Sequence, residues 1–174
     1  MSSCHHASAK TTAIQEIEYL RRRYARATDL LGQASEDSIA EGRAIYHRIF
    51  SPTVTFAITG MDTSATGPDA WVDIVVNALA PLGPTQHLIG TQLVDIQGLE
   101  LNESCEVISG SAHLESYVQA WHDMPDNKVW LFLGTYLDEI EFKLDVGWQI
   151  QHMELRQVTG ETRPMDKSVA TGTN

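Results

Sequence analysis

The sequence is poor in positive charge. Its 174 residues contain 12 Lys and Arg against 23 Asp and Glu, which gives a formal net charge of −11 at pH 7. Proteins that bind nucleic acid or anionic membranes carry clustered Lys and Arg on the contacting surface. We therefore expect neither nucleic acid nor a membrane as a partner.

Cysteines and long apolar runs are also scarce. The two cysteines, Cys4 and Cys105, lie far apart in the sequence and provide neither a disulfide framework nor a Cys-based zinc site. No apolar run approaches the roughly 20 residues of a membrane span, and residues 1–10 lack the apolar core of a signal peptide. These absences predict a cytoplasmic protein.

Several motifs of cofactor and metal enzymes are missing. The sequence contains no Gly-rich phosphate loop, no nucleophile elbow and no dinucleotide fingerprint. Its seven histidines form no HExxH or similar metal-ligand spacing. We expect no cofactor and no metal, which leaves acid–base chemistry carried out by side chains.

The N-terminal half has the apolar spacing of amphipathic helices. Pro52 and Pro81 follow the second and third helical segments, where proline ends a helix. Four arginines of the first segment are expected mostly on its solvent side: Arg21, Arg22, Arg23 and Arg26. The three predicted helices span residues 12–31, 36–50 and 68–79.

The C-terminal half alternates apolar and polar residues, which is the period of strands. Helices followed by consecutive antiparallel strands imply an α+β domain, with the helices packed on one face of a curved sheet. We place this domain at residues 11–159, with flexible tails at 1–10 and 160–174. A short strand is predicted at residues 53–58, and long strands at 86–97, 105–122, 128–143 and 147–158.

Two short stretches resemble a known family. Tyr24 and Asp29 end the first predicted helix in the stretch RYARATD, and His87 opens the first long strand in the stretch QHLIG. With the element order over residues 13–156, they resemble the SnoaL-like branch of the nuclear transport factor two-like superfamily, which includes scytalone dehydratase, bile acid 7α-dehydratase and lindane dehydrochlorinase. The resemblance implies a cone-like α+β barrel, with three N-terminal helices packed in a highly curved antiparallel or mixed sheet.

The resemblance also implies a catalytic pair. Elimination of water or HX needs a base for the proton, and a neutral His can act as that base when a carboxylate orients its other ring nitrogen. His87 and Asp29 are the candidates for these roles. Taken singly, each also fits a structural role, His87 at a strand start and Asp29 in a turn.

Further site residues follow from the same resemblance. The phenol of Tyr24 is expected to polarise a carbonyl or protonate a leaving hydroxyl, although one Tyr on an amphipathic helix equally fits the core. His113 is expected to be the acid for the leaving group, and Arg156 to bind substrate. An apolar pocket inside the cone is expected to be lined by Ile58, Trp71, Val75, Leu133 and Tyr136.

These residues predict a cofactor-independent lyase, a dehydratase or dehydrohalogenase, acting on a small apolar cyclic molecule such as a steroid, polyketide or aromatic-pathway compound. Two alternatives stay open. One is an isomerase or cyclase on the same scaffold, and the other is a non-catalytic ligand-binding protein or a module like the dioxygenase β subunit. Because long strands leave a sheet face to cover, we also expect a homo-oligomer, dimer or trimer.

Overall fold

The computed structural model describes residues 6–60 and 64–165, which form helices first and long strands afterwards. The helices are α1 (His6–Leu31), α2 (Glu36–Ile49) and α3 (Pro68–Leu79). The strands are β1 (Phe50–Ile58), β2 (Ser64–Thr66), β3 (Thr85–Leu101), β4 (Val107–Met124), β5 (Lys128–Lys143) and β6 (Gly147–Pro164).

The ends of the elements follow local chemistry. The side chain of Ser35 accepts a hydrogen bond from the backbone N–H of Ser38 at 3.2 Å and caps α2, and Pro68 occupies the first turn of α3. Residues 6–10 belong to α1 and residues 160–164 to β6, so both elements extend beyond the expected limits 11–159. Strand β2 lies in a segment that was expected to be only a turn.

The six strands form one mixed sheet in the order β2-β1-β6-β5-β4-β3. Only the β1–β6 pair is parallel, and the long strands β3 to β6 are joined as successive antiparallel hairpins. We call the face that carries Leu114, Tyr136 and Met153 and contacts α1 the inner face, and the opposite face the outer face. Three helices against this sheet confirm the predicted cone-like α+β fold.

An aromatic cluster fills the space between the helices and the inner face. The ring of Tyr24 stacks on that of Tyr46 at 5.3 Å, and Phe56 stacks on Trp71 at 4.6 Å. Phe50 contacts both stacks edge-on. Such pairs contribute about 0.5–1.5 kcal/mol each beyond the area that they bury, so this cluster fixes how α1, α2 and α3 sit on the sheet.

Arg21 is fully buried, which contradicts its expected place on the solvent side. Its Nε donates to Asp138 Oδ2 at 3.1 Å, and its Nη2 donates to the other carboxylate oxygen. The guanidinium lies 4.4 Å from the ring centroid of Tyr24 and 4.0 Å from that of Tyr136. Helical spacing explains the error, because position 21 lies one turn from Ile17 and from Tyr24, both of which face the sheet.

Cys105, in the turn before β4, is disulfide-bonded, which contradicts the expectation that the cysteines form no disulfide. Cys4 lies outside the described residues. The spatial separation of Cα atoms, rather than distance along the sequence, determines whether a disulfide can form. Within the described residues, no helix is long and apolar enough to cross a membrane.

We predict that Asp138→Ala lowers the free energy of unfolding by roughly 3–5 kcal/mol, because it leaves the buried Arg21 charge without a partner. Urea unfolding measures this change. The exposed pair between Glu18 and Arg22 offers a matched control, and Glu18→Gln is expected to cost less than about 1 kcal/mol.

The double variant Arg21→Met/Asp138→Leu is expected to recover most of that loss, since apolar residues can replace a buried ion pair at little cost. If Asp138→Ala were no more destabilising than Glu18→Gln, the ion pair would not anchor α1.

Candidate active site

The fold brings together the two residues of the predicted pair. Asp29 lies in the last turn of α1 and His87 near the start of β3, and Asp29 Oδ1 is 2.7 Å from His87 Nδ1. A carboxylate oxygen accepts hydrogen bonds, so Nδ1 carries the proton in this contact. In the neutral ring, Nε2 is then the nitrogen that can accept a proton.

Hydrogen-bond donors at the start of β3 contact the Asp29 carboxylate. The backbone N–H of His87 donates to both carboxylate oxygens, at 3.1 and 3.2 Å, and Thr85 Oγ1 donates to Oδ1 at 3.2 Å. The side chain of His87 is 8% exposed and that of Asp29 is 16% exposed. The backbone of His87 and the side chain of Thr85, both on β3, therefore hold the Asp29 carboxylate in contact with the His87 ring.

His122 is a site residue that the sequence reasoning did not single out. It lies on β4 opposite Thr85, its ring centroid is 5.7 Å from that of His87, and the two rings are nearly perpendicular. Its ring stacks on Trp130 at 4.5 Å, and its Nδ1 lies 3.3 Å from the backbone oxygen of Trp130, which can only accept. Burial, followed by the neighbouring His87, lowers the pKa of His122 to about 4.

Strand parity could have found His122. Even-numbered residues of β4, such as Leu114 and Val118, face the helices, and His122 shares their parity. The hairpin turn between β3 and β4 also sets the register that places Thr85 opposite His122. A period-two count from the apolar face therefore identifies this residue.

Tyr24 belongs to the aromatic cluster. Its side chain is 2% exposed, and its hydroxyl accepts a hydrogen bond from Trp71 Nε1 at 3.2 Å. Its backbone oxygen accepts from Thr28 Oγ1, which also contacts the hydroxyl of Tyr46 at 2.7 Å. These contacts hold Tyr24 in the core, five residues before Asp29 on α1.

His113 and Arg156 lie on the outer face, whereas His87 of the Asp29–His87 pair lies on the inner face. His113 is exposed on β4 between Asp95 and Glu139 of the neighbouring strands. Arg156 donates two hydrogen bonds to Glu154, at 2.8 and 2.7 Å. The structure does not bring either residue to His87, because alternation along a strand sends their side chains to the opposite side of the sheet.

The expected pocket lining is also divided. Trp71, Val75 and Tyr136 are buried in the core, and Ile58 is half-buried at the end of β1. Leu133 lies on the outer face, since it pairs with Gln119 there. Leu133 and Tyr136 are three positions apart on one strand and therefore face opposite sides, so the five residues do not line one pocket.

Known structures share this fold. A provisionally assigned scytalone dehydratase from Novosphingobium aromaticivorans matches with a TM-score of 0.68 and 18% identity, over 89% of this chain and 90% of that chain. LinA-type3, a hexachlorocyclohexane dehydrochlorinase from Novosphingobium barchaimii, matches with a TM-score of 0.67 and 14% identity, over 91% and 92%. At these identities the likeness concerns the fold. No curated protein sequence matches this chain.

A comparison with protein-family models identifies the family of the chain. The model of the SnoaL-like domain matches residues 9–154, from the second turn of α1 to the middle of β6. This range includes most of α1, all of α2 and α3, the whole β3–β4 hairpin and both members of the Asp29–His87 pair. The chain belongs to the SnoaL-like domain family.

Proposed function

We propose that the protein is a cofactor-independent lyase, a dehydratase or dehydrohalogenase that acts on a small apolar cyclic molecule. The observation that carries this proposal is the 2.7 Å contact between Asp29 and His87 Nδ1. The dehydratase and dehydrochlorinase named among the structural neighbours support it at the level of the scaffold.

The proposed step begins at His87 Nε2, which takes a proton from a substrate carbon. The electron pair of the broken C–H bond forms a carbon–carbon double bond, and the leaving group departs with the electrons of its own bond. Asp29 stabilises the imidazolium that forms on His87. A hydroxyl leaving group then receives the proton from the imidazolium and departs as water, while a halide departs as the anion.

His122 supports this step by staying neutral. Its Nδ1 donates to a backbone oxygen, and burial keeps the pKa of its ring at about 4. A neutral neighbour 5.7 Å away does not oppose the positive charge that His87 gains, whereas a second imidazolium would. The Nε2 of His122 is then an acceptor, suited to a hydroxyl group of the substrate.

A second candidate function is a non-catalytic role, either as a ligand-binding protein or as a module like the dioxygenase β subunit. The aromatic cluster of Tyr24, Tyr46 and Phe50 favours the module, because these buried rings occupy part of the interior that a substrate or ligand would need. An isomerase or cyclase would use the same base and differ in where the proton returns.

We predict that His87→Gln and Asp29→Asn each reduce turnover by about 10² to 10⁴, the range expected for the loss of general acid–base catalysis. Wild type is first screened against hydroxysteroids, hydroxylated polyketides and chlorinated cyclohexanes. The control is His113→Gln, which alters an exposed histidine on the outer face and is expected to keep wild-type turnover.

Equal turnover by His87→Gln and wild type would refute the catalytic role of the Asp29–His87 pair. Ligands that raise the melting temperature of both proteins while none is consumed would favour the binding function instead.

We predict that part of the stability of the protein is lost as the pH falls from about 6.5 to about 4. The pKa of His122 drops from 6.5 to about 4 on folding, so the unfolded chain binds a proton more readily in that window and is stabilised relative to the folded state. Above about pH 6.5, His122 is neutral in both the folded and the unfolded chain, and its contribution to the free energy of unfolding no longer changes with pH.

Urea unfolding of wild type and His122→Phe across this window measures the effect. The variant keeps an aromatic ring against Trp130 and is expected to show a shallower fall of unfolding free energy with decreasing pH. His113→Gln serves as the control and is expected to follow wild type. If the unfolding free energies of wild type and His122→Phe changed with pH in parallel, the lowered pKa of His122 would be contradicted.

A further inference from the structure

The inner face continues beyond the Asp29–His87 pair as a line of aromatic rings. The His87 ring contacts His122, and His122 stacks on Trp130. Trp130 in turn contacts Phe132 edge-on, with ring centroids 6.0 Å apart. Trp130 and Phe132 are half-buried. The four rings therefore form one continuous surface from β3 to β5, which we call the aromatic wall.

The aromatic wall ends at a dent over Gly160 of β6. Gly160 pairs with Phe132 and so belongs to the inner face, where it is exposed. A Cβ at this position would lie 2.8 Å from the backbone oxygen of Leu131, which is closer than Cβ atoms come in proteins. The close approach of β5 and β6 therefore requires glycine here, and the space of a side chain stays free.

Two hydrogen-bond donors border the dent. A Cβ at Gly160 would lie 3.4 Å from Trp130 Nε1 and 3.5 Å from Gln157 Nε2. Gln157 pairs with Gly134 on the inner face and is exposed. An indole N–H only donates, and an amide nitrogen carries two hydrogens. An oxygen atom placed in the dent can accept from both residues.

The two ends of the aromatic wall differ in their hydrogen-bonding character. In the neutral rings of His87 and His122, Nδ1 donates, to Asp29 and to a backbone oxygen respectively. The Nε2 atoms of both rings are then acceptors. At the far end, Trp130 and Gln157 supply donors. A ligand that matches the wall therefore presents hydrogens at one end and an acceptor at the other.

The distance between the two ends sets the length of such a ligand. His87, Ala120, Phe132 and Gly160 are successive cross-strand neighbours on β3, β4, β5 and β6. Strands lie about 4.8 Å apart, so the backbones of His87 and Gly160 are roughly 14 Å apart, and the His87 ring lies on the order of 10 Å from the dent. A single ring is too short to span this distance, whereas several fused rings reach across it.

We infer that the substrate is an elongated polycyclic molecule that carries an oxygen acceptor, such as a ketone, at the end remote from the reacting carbon. This inference rests on the proposed lyase function. The reacting carbon lies at His87 and its hydroxyl group at His122. The rings lie along the aromatic wall, and the remote oxygen accepts hydrogen bonds from Trp130 and Gln157.

The remote oxygen decides among the substrate classes considered above. Binding energy from groups far from the reacting carbon can hold that carbon in the geometry that catalysis needs. A ligand without the oxygen leaves the two donors unpaired, which lowers its affinity. A chlorinated cyclohexane has no oxygen and cannot reach the dent from His87. The site therefore favours hydroxysteroids and polycyclic polyketides over chlorinated single rings.

The test compares matched ligands by isothermal titration calorimetry and needs no turnover. Dihydrotestosterone carries a hydroxyl group at one end of a rigid fused-ring skeleton and a ketone at the other, and the matched androstanol lacks only the ketone. Wild type is expected to bind dihydrotestosterone about tenfold more tightly than the androstanol, which is the effect of hydrogen bonds made only with the ketone. Lindane is expected to bind more weakly than either steroid.

Two substitutions remove the donors of the dent. Trp130→Phe removes the indole N–H and keeps a ring against His122, and Gln157→Leu removes the amide. Each is expected to lower the affinity ratio of the two steroids by about threefold, and the double variant is expected to bring the ratio close to one. Because Gln157 is exposed, Gln157→Leu tests the dent even if Trp130→Phe disturbs folding.

The matched controls lie on the opposite side of the sheet. Gln86 and Trp121 pair with each other, and each neighbours an inner-face histidine in sequence, so alternation places them on the outer face. Gln86→Leu and Trp121→Phe repeat the two substitutions there. Both are expected to keep the wild-type affinity ratio.

Three results would overturn the inference: no binding of dihydrotestosterone by wild type, equal affinity for the two steroids, or a wild-type ratio that persists in Trp130→Phe/Gln157→Leu. His87→Gln separates this outcome from the proposed function, since it leaves the dent unchanged and is expected to keep the ratio while turnover falls. A tenfold ratio in a wild type that turns over no substrate would refute the lyase activity and leave this binding mode intact.

Discussion

The alternation of side chains along β3, β4, β5 and β6 is the constraint on which the rest of the molecule depends. Alternate residues of each strand, with the phase shifted at the irregularities of β3 and β6, form the inner face, which packs against α1 and carries His87 and His122. The remaining residues of these strands form the outer face, which carries two grooves. A slip of one residue would exchange the two faces, so the register of the long hairpins determines which residues form the site.

Packing on the inner face is held at one point by a buried charge pair. The Arg21–Asp138 pair is enclosed by Tyr24 and Tyr136, and desolvation of two ions makes such a pair costly in itself. Its consequence is specificity of position, because α1 can satisfy both ions in only one placement on the sheet. That placement sets the end of α1 against the start of β3, where Asp29 accepts hydrogen bonds from His87 and Thr85.

The site joins two imidazoles with opposite electrostatic surroundings. His87 contacts the Asp29 carboxylate, whereas His122 is buried against Trp130 and contacts a backbone oxygen. In the proposed reaction one ring carries charge and the other stays neutral. Two similar residues thus take different roles because their surroundings differ.

The sequence by itself determined the class of fold, most element positions and the pairing of Asp29 with His87, because hydrophobic periods, prolines and a family resemblance are local signals. Alternation along a strand shows which of its residues share a face, but only the tertiary structure decided which residues of different elements meet. It buried Arg21, brought His122 to His87, and placed His113, Arg156 and Leu133 on the outer face. The physical reason is that register and helix docking arise from contacts between residues distant in sequence, which no local pattern records.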